Sequence, residues 1–256
     1  MIKHRIDGHT AFITIDNPPA NTWTPESLRA LELLVGELNA NRTIYAAVIT
    51  GAGSKFFSAG ADLQHFKGED KVLARHFIAC FGAAFEALMN ARFVTIAAIN
   101  GYAMGGGLEC TLACDIRIAE EHAQMALPEP AVGLLPAGCG TQNLPWLVGE
   151  GWAKRIILTN ERVDAATALR IGLVQEVVPK GEALAKATAM AERVGALSPR
   201  AIEYCKGLIH NARNGIPRRG GLALERERFM DLFDHEDQAE GVTAFLEKRK
   251  PEWKND

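Results

Sequence analysis

Apolar and polar residues alternate along Ile2–Ile6 and again along Thr10–Ile15, with Asp7-Gly8-His9 between them. Period-two alternation on either side of an Asp-Gly turn predicts a β-hairpin. At residue 24 the period changes. Leu28, Leu31, Val35 and Leu38 recur at three- and four-residue spacing, the stripe of one helix face, with Thr24 as cap and Pro25 in the first turn. Ala46–Thr50 is a short apolar strand stopped by Gly51. Small residues from Gly51 to Asp62 predict a loop, residues 70–90 a helix, and Thr95–Ile99 a strand. Gly101 to Gly107 reads as a glycine-rich turn and Leu108–Ala113 as a helix. Strands follow at Asp115–Ala119 and Gln124–Leu127, and residues 138–158 alternate helix and turn. Asp164 caps a short helix ending at Ile171, Val174–Val178 is a strand, and everything from Glu182 onward reads as helix.

Strands alternating with helices predict an α/β fold in which helices cover a sheet. The α/β core spans 1–197, and a helical C-terminal region spans 198–256. That tail carries apolar positions (Ile202, Leu208, Leu222, Leu224, Phe229, Leu232 among them) that the core need not bury alone, which makes it a candidate oligomerisation region. No low-complexity tract and no clean short-period repeat is visible.

Composition narrows the class. The 256 residues are 48% hydrophobic and 23% charged, enough for a sizeable core without metals or disulfides, and too apolar for a disordered chain. Lys plus Arg number 28 against 31 Asp plus Glu, a net charge of −3, which argues against a nucleic-acid partner. Five cysteines, an odd number with no C-x-x-C pair, indicate neither a disulfide framework nor a zinc site. The first residues lack the apolar run of a signal peptide, and no stretch approaches ~18 uninterrupted apolar residues. A soluble, cytoplasmic protein without a membrane partner is the expectation.

Several chemical motifs come close and fail. Gly51-Ala52-Gly53 follows a strand, but Phe56 stands where the third glycine of a dinucleotide fingerprint belongs. No Gly-Lys dipeptide exists, so there is no P-loop. Ser58, in Phe56-Phe57-Ser58-Ala59-Gly60, lacks the first glycine of a nucleophile elbow and reads as a turn residue. The seven histidines are scattered, and none is at metal-ligand spacing from another.

Two segments remain. Phe57-Ser58-Ala59-Gly60-Ala61-Asp62-Leu63 is built of small residues that let backbone approach a ligand. Asn100-Gly101-Tyr102-Ala103-Met104-Gly105-Gly106-Gly107-Leu108-Glu109 sets three glycines before a helix, at about 1 kcal/mol each relative to alanine if helical. Free N–H groups at a helix N-terminus attract negative charge, and two loops lending one N–H each would form an oxyanion hole. Two acids have apolar settings: Glu109, in the first turn of an apolar helix, and Glu129, in Leu127-Pro128-Glu129-Pro130. A dipole-favoured first-turn acid and a loop acid are their plain alternatives.

Together these segments resemble the crotonase, or enoyl-CoA hydratase/isomerase, superfamily. The resemblance rests on Phe57–Leu63, Ile99–Ile116, Leu127–Gln142, Asp164–Val178 and the ending Phe245–Pro251, and so covers nearly the whole chain. It implies a spiral of repeated ββα units with a helical C-terminal region, and assembly as a homotrimer or homohexamer. It implies an acyl-CoA substrate, with coenzyme A as part of that substrate and no separate cofactor or metal. The thioester oxygen would sit between the N–H groups of Ala61 and Gly106. Glu109 and Glu129 would be the hydratase's two catalytic glutamates. Ala59, Ala61, Asp62, Leu63, Gln64, Gly105 and Gly106 would line the substrate and coenzyme A site, with Ala20 by the adenine end. The chain departs from the family pattern at Pro130, Ala137, Gln64, Asn143 and the bulky Trp23, which leaves acyl preference open.

The chemistry implied is addition of water across a thioester-conjugated double bond, with Glu109 activating water, Glu129 protonating C2, and one proton held between the two acids. Other reactions on the same scaffold (isomerisation, dehydration, decarboxylation, thioester hydrolysis) are the enzyme alternatives. A non-catalytic acyl-CoA-binding or RNA-binding relative is the other; near-neutral charge and both glutamates argue against it.

Overall fold

The computed structural model describes every residue except Glu69. Its first elements follow the sequence closely. β1 (Ile2–Asp7) and β2 (Thr10–Ile15) pair antiparallel from Ile2 opposite Ile15 to Asp7 opposite Thr10, leaving Gly8-His9 as the turn, with Gly8 at φ +55°. α1 (Pro25–Ala40) opens with a reciprocal cap: Ser27 N–H donates to Thr24 Oγ1 at 3.2 Å, and Thr24 N–H donates to Ser27 Oγ at 2.9 Å.

Three ββα turns follow: β3 (Ala46–Gly51), β4 (Phe56–Ser58) and α2 (Lys71–Met89); β5 (Val94–Ile99), β6 (Tyr102–Met104) and α3 (Gly106–Ala113); β7 (Ile116–Glu120), β8 (Gln124–Ala126) and α4 (Gly140–Leu158). The first strand of each turn joins a six-stranded sheet in the order β1-β2-β3-β5-β7-β10, where β10 is Glu176–Val178. The second joins a four-stranded sheet, β4-β6-β8-β9, where β9 is Val163–Asp164. α5 (Ala165–Arg170) links β9 to β10. α6 (Ala183–Gly195), α7 (Pro199–Arg213), α8 (Arg218–Asp231) and α9 (Glu236–Glu247) complete the chain.

The inner strands of the large sheet, β2, β3, β5 and β7, are buried on both faces, as parallel strands usually are, while the antiparallel edge strand β1 is largely exposed. Along β3, Ala47 and Ile49 point into the main core, while Ala46 and Val48 face the other way, onto Ala183, Ala187 and Ala191 of α6. α2 is long and apolar enough to cross a membrane by composition. Its Phe77, Phe81, Ala84, Phe85 and Leu88 are buried, and that face packs on α1 and α3.

The α/β spiral and helical tail expected from the sequence are borne out, with corrections at several elements. β4 and β6 lie where a loop and a turn were expected, because three residues carry no readable period. α3 starts at Gly106, two residues early. The last strand is shorter than Val174–Val178, whereas residues 140–158 are two helical stretches broken at Gly149 (φ 77°, ψ 160°), in keeping with the alternation of helix and turn expected there. The tail is helical only to Glu247. Beyond it the chain is irregular and anchored, with Lys254 and Asn255 N–H donating to Asp237 Oδ1 at 2.6 and 3.2 Å and Trp253 Nε1 to Ala196 O at 3.1 Å.

Candidate active site

The small sheet assembles the site. β4, β6 and β8 run parallel and adjacent, with Ala103 between Ser58 and Met125. Their C-terminal ends therefore deliver Ala59–Ala61, Gly105-Gly106 and Pro128-Glu129 to one edge. A Cβ on Gly60 would meet Met104 O at 2.7 Å and Gly106 N at 3.3 Å, so the first two loops can touch only because Gly60, at φ +93°, has no side chain.

Two amides face this edge unengaged. Trp23 N–H donates to Gly60 O at 2.8 Å, and Asp62 N–H donates to Trp23 O at 2.9 Å. Successive amides of an extended chain point to opposite sides, so Ala61 N–H points away from Trp23. Gly106 is the first residue of α3, whose opening amides lack a partner within the helix. Neither amide donates to any described protein group.

Glu109 follows one turn into α3 and is 3% exposed. Its Oε1 accepts from three consecutive amides, Gly138 at 2.9 Å, Cys139 at 2.9 Å and Gly140 at 2.7 Å. The flanking glycines are required, since a Cβ on Gly138 would lie 2.9 Å from Glu109 Oε2 and one on Gly140 3.0 Å from Oε1. Burial raises the Glu109 pKa even though those three amides pull it down. With Oε1 immobilised, Oε2 is the oxygen left for chemistry.

Glu129 stands at the end of β8, in the 3₁₀ turn Glu129–Val132. Its Oε1 would lie 2.9 Å from a Cβ on Gly105, and its Oε2 is buried with no described partner. Burial, reinforced by the charge of nearby Glu109, pushes its pKa up to about 7, its own backbone amide offsetting only part. The two acids thus differ: one is held by donors, and the other takes up a proton near neutrality.

Ala61, Gly106, Glu109 and Glu129 line a cleft of about 550 Å³ whose other walls are mostly apolar, among them Phe66, Ile78, Leu134 and Leu135. Of the residues expected from the sequence, Ala59, Leu63 and Gly105 also line it. Ala20, Asp62 and Gln64 do not. Ala20 O accepts Ala59 N–H at 2.9 Å, Asp62 Oδ1 accepts Gln64 N–H at 3.1 Å, and Gln64 is exposed. Ser58 is buried with its Oγ accepting Gly60 N–H at 3.2 Å, the turn role expected of it. A cleft of about 610 Å³ beneath α7 has Lys206 Nζ bound to Asp115 Oδ2 at 2.7 Å and to Phe93 O at 3.0 Å, a satisfied pair with no free acid.

Sequence reasoning missed the amide nest at Gly138–Gly140. Its available signal was two glycines around Cys139 immediately before a helix, read against a buried acid that needs donors.

A family profile described as enoyl-CoA hydratase/isomerase matches residues 5–256. The short-chain-enoyl-CoA hydratase of Clostridium acetobutylicum is 38% identical over 247 residues, covering 96% of this chain and 94% of its own. Among solved structures, Pseudomonas aeruginosa DspI is 62% identical with a TM-score of 0.96, covering 99% of this chain and 96% of its own. Enoyl-CoA hydratase from Bacillus anthracis is 35% identical with a TM-score of 0.95, covering 100% and 99%.

Proposed function

The chain belongs to the enoyl-CoA hydratase/isomerase family, and from that membership we propose the reaction its cleft carries out. It is an enoyl-CoA hydratase, adding water across the 2,3 double bond of a trans-2-enoyl-CoA to give 3-hydroxyacyl-CoA. Coenzyme A arrives and leaves as part of the substrate.

In this reading the thioester oxygen sits between Ala61 and Gly106 N–H, where the negative charge of an enolate develops as oxygen adds at C3. Donors already aimed at that charge need not reorient during reaction, and losing one typically costs ~2.7–4 kcal/mol. Glu109 Oε2 accepts a proton from water, and the resulting hydroxide forms the C3–O bond. Glu129 gives its proton to C2. One proton sits on the pair before and after, so the site's charge is unchanged by turnover. The observation that carries the reading is the pairing of two differently held acids, a Glu109 bound by three amides and a Glu129 whose buried Oε2 has no described partner, on one cleft with two free amides.

A homotrimer or homohexamer is part of the proposal. Phe229, Met230 and Phe233 on α8 and the turn after it, and Phe245 and Leu246 on α9, are more than half exposed in the single chain, and such apolar patches favour association.

The test is to follow the conjugated-thioester absorbance of crotonyl-CoA and longer enoyl-CoAs and identify the product. Loss of absorbance with a 3-hydroxyacyl product supports hydration. A 3-enoyl product, or a free acid, refutes it.

A further inference from the structure

Trp23 touches both amide donors of the proposed oxyanion hole. Its main chain holds Ala61 from both sides, through Gly60 O and Asp62 N–H. Its ring lies against the other donor: a Cβ on Gly106 would be 3.4 Å from Trp23 Cδ1 and 2.6 Å from Phe81 Cε1. The indole meets Phe85 edge to face at 5.8 Å, and Phe85 meets Phe81 the same way at 5.5 Å. Phe85 in turn abuts Gly138, whose amide binds Glu109, since a Cβ there would be 2.9 Å from Phe85 Cδ2.

Trp23 is completely buried and is not a wall of the cleft, so it does not reach substrate. Its Nε1–H is buried with no described acceptor. A buried donor without a partner carries a desolvation cost that phenylalanine would not, so hydrogen bonding does not account for the indole here. Its shape does: a large flat side chain fills the space between the clamp on Ala61 and the start of α3.

We propose that Trp23 is a positioning residue for this hydration, setting the spacing and aim of the Ala61 and Gly106 amides. The proposal rests on the reading of the cleft given above. Any residue at 23 can make the main-chain bonds, so the Ala61 clamp survives substitution. What a small residue removes is the indole's share of the packing behind Gly106, the rest of which Phe81 supplies, and α3 then has room to shift at its first turn. Misplacing a donor weakens stabilisation of the transition state more than binding of the ground state.

Full-length Trp23→Ala and Trp23→Phe are compared with wild type in three measurements. These are steady-state hydration of crotonyl-CoA, thermal unfolding, and the absorption band of bound trans-cinnamoyl-CoA. That band moves to longer wavelength when donors polarise the thioester carbonyl. The expected result for Trp23→Ala is a kcat lower by about 10–100-fold, with a smaller change in KM and a diminished band shift. Trp23→Phe, which keeps a plate and loses the orphan N–H, restores kcat and the shift to within about threefold of wild type.

A folded Trp23→Ala with wild-type kcat and band shift overturns the proposal. So does a change confined to KM, or a Trp23→Phe as impaired as Trp23→Ala. If Trp23→Ala does not fold, Trp23→Leu takes its place as the reduced plate. Wild type that hydrates no enoyl-CoA would refute the hydratase reading instead; the wild-type and variant band shifts then still decide the role of Trp23.

Discussion

Replacing Glu129 with glutamine should stabilise the protein at alkaline pH while disabling it. The carboxyl titrates near 4.5 in an unfolded chain and at about 7 in the fold. Between those values the folded chain keeps a proton that the unfolded chain has released. Stability therefore falls as pH rises through this window, and the loss is complete above it. A shift of roughly 2.5 units corresponds to about 3 kcal/mol. Glutamine resembles the neutral acid in shape and never ionises, so Glu129→Gln escapes this loss. Urea unfolding at fixed subunit concentration should show the variant's advantage widening by about 2–3 kcal/mol between pH 5 and pH 8. Hydration should fall by roughly 10²–10⁴, the scale of a positioned acid. An advantage that is the same at both pH values, or a variant less stable than wild type at pH 8, would show that Glu129 carries no buried charge. The proton-donor role assigned to it would then fall.

Other consequences can be checked separately. Because hydration needs one proton on the Glu109–Glu129 pair, kcat/KM should decline as pH rises through about 7; a profile flat across that range would break the shared-proton scheme. Gly106→Pro removes a donor and fixes φ, so turnover should vanish, while Ser58→Ala, which loses only the bond from Gly60 N–H, should stay active and lose about 1 kcal/mol of stability. An active Gly106→Pro beside a dead Ser58→Ala would restore acyl-enzyme chemistry through Ser58. Light scattering at micromolar concentration should give a trimer or hexamer, and a particle of 27.8 kDa would contradict assembly.

The parts legible in the sequence are those whose cause is local. The Thr24–Ser27 cap, the Leu28–Leu38 stripe and the hairpin at Gly8 each need only residues a few positions apart. Glu109 and Glu129 stood out because an acid in an apolar stretch needs a reason wherever it folds. The ββα repetition came from the family resemblance and not from any visible period, because its three turns span 46–89, 94–113 and 116–158, too unequal to register as one. The Gly138–Gly140 nest was hidden because its meaning depends on a carboxylate about thirty residues earlier. Trp23 was noticed only for its bulk. Its neighbours Gly106 and Phe85 come together through the tertiary fold, which no local pattern encodes.

The adjacency of β4, β6 and β8 makes the small sheet a ruler. Neighbouring strands are about 4.8 Å apart, so the amide-bearing loops and the Glu129 loop are offset by the sheet's own pitch rather than by side-chain choice. Whatever acyl group enters, its carbonyl oxygen and its reacting carbons meet the same graduations. Selectivity among chain lengths must then be written elsewhere, on walls such as Ile78, Leu134 and Leu135, which hang from α2 and from the loop after Val132 and not from the ladder. Substitutions there can retune which thioester is accepted while the spacing that performs the chemistry stays as the strands set it.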